Sequence, residues 1–113
     1  MKASLIYDSI TGNTKKLAQA IEEMFEITSV KESEIAFIGS WTDKGEPSPK
    51  IKEELSKIEN KKIFYFGTCG FGAEESYFAL LFERVKKYIS PTNEVVGYFY
   101  CQGKMPTRCS KKV

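Results

Sequence analysis

Between an apolar run at Ala3 to Tyr7 and a helical pattern that begins near Asn13 lies the segment Ser9-Ile10-Thr11-Gly12-Asn13-Thr14. A loop that joins a strand to a helix turns successive backbone N–H groups and the helix amino terminus toward one point, and that is an anion site. Hydroxyls at Ser9, Thr11 and Thr14 add donors, and Gly12 lets the backbone approach an oxyanion closely. The loop holds no Lys or Arg, which suits a phosphate monoester gripped by neutral donors. It is not GxxxxGK[ST], because the triphosphate lysine is missing, and it is not the dinucleotide pattern GxGxxG. The same residues also read as a plain helix start, with Thr11 or Asn13 as cap. The loop alone leaves both readings open.

The chemistry must come from few residue types. The 113 residues include no histidine, so His-based triads, His-ligated metal sites and a His acid or base are excluded. Cys69, Cys101 and Cys109 form no CxxC pair, and three are too few for a secreted disulfide framework. Two of them reach the ends of apolar runs and read as small buried hydrophobes, and no metal site is expected. Hydrophobic residues at 42% and charged residues at 28% are ordinary globular usage, and the length suits one domain. No apolar run is long enough to span a membrane, and the start does not read as a signal peptide. A cytoplasmic protein is expected.

The loop needs a scaffold, and the chain supplies one by alternation. Leu17, Ile21, Met24 and Phe25 mark a first helix, Ile51, Leu55 and Ile58 a second, and Phe78, Phe82, Val85 and Ile89 a third. Between them lie continuous apolar runs at Ile35 to Ile38, Ile63 to Phe66 and Val95 to Tyr100. Such runs between helices mark a parallel sheet covered on both faces, a doubly wound α/β domain. Glu26 to Val30 reads as a second strand. Only four residues separate it from the run at Ile35, reaching about 13 Å, too short for an ordinary parallel crossover. That strand is therefore expected to be short and at an edge, or irregular. Twelve residues follow Cys101, among them Pro106, Lys104, Arg108, Lys111 and Lys112. No full C-terminal helix is expected, and residues 105–113 read as a basic tail behind a domain over 1–104.

Strand, then Ser9-x-Thr11-Gly12-Asn13-Thr14, then amphipathic helix resembles the FMN phosphate loop of the flavodoxins, written T/S-x-T-G-x-T. The resemblance implies a flavodoxin-like sheet of order 2-1-3-4-5 and non-covalently bound FMN. It places the flavin ring between loops at 40–45 and 68–72. The implied cofactor residues are Ser9, Ile10, Thr11, Gly12, Asn13 and Thr14 for the phosphate. For the ring they are Ser40, Trp41, Thr42, Asp43, Gly45, Thr68, Cys69, Gly70 and Phe71. The segments Gly39-Ser40-Trp41-Thr42-Asp43-Lys44-Gly45 and Cys101-Gln102-Gly103-Lys104 are similar to those of a group of short flavodoxin-like proteins. Some of that group accompany reductases, including bilirubin-reducing ones. Trp41, the only tryptophan, either stacks on the flavin or covers the third strand as a rim residue. Phe71 and Tyr77 are weaker candidates for the opposite ring face.

The implied function is electron transfer with a redox partner protein, by a monomer or weak homodimer, with no nucleic acid or membrane. An electron carrier is expected rather than a stand-alone enzyme. The alternative is a binding or accessory module of the same fold that has lost or weakened its flavin. Charge separates this chain from strongly acidic flavodoxins. Residues 1–60 carry eight lysines against eleven acids, and residues 61–113 nine basic against four acidic groups. Two rivals fail on residues. A receiver domain needs paired acids after the first strand, and only Asp8 stands there. A Cys-x5-Arg phosphatase needs an Arg that neither Cys69 nor Cys101 has.

Overall fold

A computed structural model describes residues 2–9, 12–43, 45–69, 75–102 and 105–112. The first apolar run forms β1 (Lys2–Tyr7), and α1 (Asn13–Met24) follows it in the chain. β2 is only Glu26–Ile27, and a single 3-10 turn, Val30–Glu32, carries the chain to β3 (Ile35–Asp43). A short hairpin strand β4 (Glu46–Pro47) precedes α2 (Pro49–Lys57). Then come β5 (Lys62–Cys69), α3 (Glu75–Lys86), β6 (Glu94–Gln102) and β7 (Met105–Lys112). The sheet order is β2-β1-β3-β5-β6-β7, with β4 paired to β3 alone. The run β2-β1-β3-β5-β6 is parallel throughout, and with the hairpin strand set aside it is the expected 2-1-3-4-5 order.

Alternation along the strands sorts the core into two layers. Ala36, Ile38, Ile63, Tyr65 and Tyr100 face α2 and α3, where Ile51, Leu55, Phe78, Leu81, Phe82 and Val85 are buried. Ala3, Phe37 and Phe66 face α1, where Ala18 is buried and Leu17 and Ile21 pack against them. α2 begins where its sequence dictates: Ser48 caps it by accepting from the Ile51 N–H, and Pro49 occupies the first turn, where no N–H is needed. Met24, expected on the buried stripe of α1, is 73% exposed, and Phe25 takes that place by packing on Phe37 at 4.9 Å.

Two glycines make room for aromatic rings. A Cβ at Gly39 would lie inside the Phe66 ring, and one at Gly67 would come within 2.5 Å of the Tyr100 ring. Gly39 therefore does not end its strand. β3 continues to Asp43, so Ser40 to Asp43, expected as loop, are strand residues.

The carboxyl end also differs from expectation. Residues read as a basic tail form β7, antiparallel to β6, and make the sheet mixed. A polar edge strand has no continuous apolar run to announce it. Its register sets Cys109 opposite Cys101, so two cysteines that look scattered in sequence meet across one ladder.

Candidate functional site

The carboxyl ends of β1, β3 and β5 lie side by side, which is where open α/β sheets bind ligands. Backbone and side-chain hydrogen bonds tie the three together. The backbone N–H of Asp8, just past β1, donates to the Gly39 carbonyl on β3 at 3.1 Å. The indole Nε1–H of Trp41 on β3 donates back to Asp8 Oδ2 at 3.0 Å. Thr42 Oγ1 donates to the Thr68 carbonyl on β5 at 2.7 Å. The Thr68 hydroxyl in turn meets the Thr14 hydroxyl at 2.9 Å, with both side chains buried. One network thus joins the first turn of α1 to the ends of two strands.

The first loop has the features of an anion cradle. Gly12 sits at φ +90, a left-handed conformation that favours glycine, and a Cβ there would meet nothing within 4 Å. The space over its backbone is open. Ser9 Oγ accepts from the Gly12 N–H at 3.0 Å, which leaves the Ser9 proton free to donate elsewhere. Gly12 is also the N-cap of α1 and has no side chain to offer the helix's first-turn N–H groups. Neutral donors around an open helix start fit a phosphate monoester. Ile10 and Thr11 lie outside the described residues, as does the Asn13 side chain.

The second loop is a β-hairpin. Trp41 and Thr68 are register partners on β3 and β5, both next to the first loop, and Trp41, Thr42 and Asp43 are half-buried at the rim. Gly45 takes φ +83 at the tip, and its carbonyl accepts from Arg84 Nη1 on α3 at 3.3 Å. Below the tip, Glu46 holds Lys52 at 2.7 Å and accepts from the Tyr88 hydroxyl at 3.2 Å. The Lys52 hydrogen bond keeps the Glu46 carboxyl below its ordinary value and raises the Lys52 ammonium above its own.

Ser40, expected to touch a cofactor, is instead fully buried. Its Oγ donates to the Trp41 carbonyl at 2.6 Å and accepts from the Ser48 N–H at 2.8 Å. That hydroxyl's proton and one of its lone pairs are used in anchoring the hairpin. Burial raises the Tyr65 phenol well above the ordinary tyrosine value, so Tyr65 is neutral in the core. Of the third segment, Thr68 belongs to the network and Cys69 ends β5, while Gly70 and Phe71 lie outside the described residues, as does Lys44. Asp8, Arg84 and Glu46 were not legible as site residues. Asp8 had a faint signal, as the one acid at the end of the first strand.

A family model described as a flavodoxin domain matches residues 4–113. The chain belongs to the flavodoxin family. It is 40% identical to the flavodoxin-like domain-containing protein BilS of Clostridioides difficile, over 93% of this chain and 68% of that protein. It is 31% identical to the BilS protein of Clostridium symbiosum, over 93% and 70%. Among solved structures, a flavoprotein from Lactobacillus acidophilus in complex with FMN superposes with a TM-score of 0.68 at 17% identity, over 91% of this chain and 93% of that one. Oxidised flavodoxin 2 from Bacillus cereus gives 0.63 at 21%, over 90% and 84%. At those identities the structural likeness shows the fold. No helix among the described residues is long and apolar enough to cross a membrane.

Proposed function

We propose that this member of the flavodoxin family binds FMN non-covalently and passes electrons to or from a redox partner protein. The observation that carries the reading is the network that joins Thr14, Thr68, Thr42, Trp41 and Asp8 beside the open Gly12 backbone. The FMN phosphate would lie over Gly12 at the start of α1, with the Ser9 hydroxyl and the first-turn N–H groups as donors. The Thr14–Thr68 bond fixes that helix start against β5, so the donors are preorganised rather than gathered on binding. Trp41, held by Asp8, would present an aromatic surface to the ring at the rim of β3. Bound FMN supplies reversible electron transfer, and the protein sets its orientation and its exposure to water. Cytoplasmic work with a reductase or flavin-dependent enzyme, as a monomer or weak homodimer, completes the reading.

The test is to incubate purified protein with FMN, desalt it and record the visible spectrum. Flavin bands that stay with the protein, with quenched flavin fluorescence, support the reading. A colourless protein that leaves FMN fluorescence unchanged favours a binding module that works without flavin.

A further inference from the structure

β1 is paired along its whole useful length on one side and hardly at all on the other. With β3 it pairs from Ala3 to Tyr7, but with β2 only at Lys2 and Ala3. Alternate residues of a strand direct both backbone groups to the same neighbour. The Glu34 N–H meets the Lys2 carbonyl and the Asp8 N–H meets Gly39, so the even-numbered residues of β1 face β3. The Thr28 N–H meets the Ala3 carbonyl on the opposite side, and Leu5 and Tyr7 follow Ala3 in that direction. Beyond Thr28 no strand lies there among the described residues. The Tyr7 carbonyl receives only a long contact from Lys50 Nζ at 3.4 Å.

The vacant side opens into a cleft of about 560 Å³ lined by Leu5 to Ser9, Lys15, Lys50 and Glu54. Its two carboxylates are each engaged. Asp8 accepts from the Trp41 indole, and Glu54 lies 4.0 Å from Lys57. The ammonium groups of Lys15 and Lys50 have no carboxylate partner among the described residues.

We propose that the open edge of β1, between α1 and α2, takes an extended, carboxylate-bearing segment of a partner protein as an added strand. The backbone groups of Leu5 and Tyr7 demand an extended chain, since strand addition satisfies them in register. The free ammonium groups set its sign. Lys15 on α1 and Lys50 on α2 flank the edge from either side, so an acidic segment is its complementary occupant. From Leu5 to Ser9 the slot is about 13–17 Å long, room for four or five residues at about 3.3 Å each. The brevity of β2 thus leaves a docking slot. This inference does not rest on flavin binding, since it is carried by the outer edge of β1 at Leu5 and Tyr7, although the slot's upper end at Asp8 and Ser9 borders the phosphate loop.

The probe is a capped, fluorescently labelled Val-Glu-Val-Glu-Val-Glu peptide, titrated into the protein and followed by anisotropy and by amide hydrogen exchange. Its comparison is the same peptide with Lys in place of Glu. The acidic peptide is expected to bind about tenfold more tightly than the basic one, and less tightly as salt rises. Exchange should slow at the Leu5 and Tyr7 amides. The double variant Lys15→Glu, Lys50→Glu, on exposed side chains, should fold normally by circular dichroism and lose that preference. No binding, equal binding of both peptides, or protection that maps elsewhere would overturn the proposal. So would concentration-dependent protection of Leu5 and Tyr7 without peptide, which would identify a second copy of this chain as the occupant.

Discussion

Trp41 donates its indole N–H to Asp8 Oδ2 at 3.0 Å, so the one tryptophan of the chain is fixed by the residue that follows the first strand. A single-tryptophan protein reports on this bond directly. Asp8→Ala removes the acceptor, and the emission of Trp41 should shift and its anisotropy fall. Asp8→Asn keeps a carbonyl oxygen at the same place and should restore most of both. The loss of stability in Asp8→Ala should be about 1 kcal/mol, the worth of a half-exposed hydrogen bond. Identical emission in all three proteins would show that the bond does not orient the ring.

Thr14 and Thr68 are partners in a buried hydroxyl pair, and a pair behaves unlike its halves. Thr14→Val strands the Thr68 hydroxyl away from water and should cost about 1–3 kcal/mol in urea unfolding. Thr14→Val with Thr68→Val removes both polar groups and should recover part of that loss. Additive costs in the double-mutant cycle would mean that the hydroxyls do not couple.

Glycines that look alike in sequence separate into two kinds. Gly39→Ala would drive a methyl group into the Phe66 ring in a filled core and should destabilise by about 1–3 kcal/mol. Gly12→Ala meets nothing, and its cost of roughly 1–2 kcal/mol comes from the left-handed backbone alone. Unfolding should therefore respond to both, whereas FMN affinity should fall far more in Gly12→Ala. Equal effects on FMN would place the phosphate elsewhere.

The Glu46–Lys52 pair gives the hairpin a defined pH range. Glu46 has a lowered folded pKa, so its contribution is present above the ordinary value of 4.5 and is lost as pH falls through the folded value. Lys52 is raised, so its contribution is present below 10.5 and is lost as pH rises through its folded value. Melting temperatures of the wild type and Glu46→Gln should differ at neutral pH and converge in acid. A gap that persists unchanged at pH 3 would assign it to something other than this ion pair.

Much of this architecture was readable before the structure. The apolar runs at Leu5, Phe37, Tyr65 and Phe99 are buried strands because both sheet faces are covered, and periodicity alone marks the helices. The short second strand follows from chain reach, and one 3-10 turn is what four residues allow. What escaped were effects of distant contacts. Gly39 looks like a strand end, but it is the gap into which the Phe66 ring fits. Ser40 looks like a ligand hydroxyl, but it is buried and bonded to the Trp41 carbonyl and the Ser48 N–H. Asp8 has no motif of its own and gains its place only when β3 brings Trp41 alongside. β7 is polar, and only its pairing with β6 reveals it.

The most direct test of the central claim compares FMN with riboflavin, which has the same ring without the phosphate. Titrating each into the protein while following Trp41 emission and flavin fluorescence reads the ring site and the phosphate site together. FMN should quench both signals and bind at least about tenfold more tightly than riboflavin, the share expected of a helix-start phosphate site. Equal affinity for the two flavins, or no quenching by either, would contradict the account.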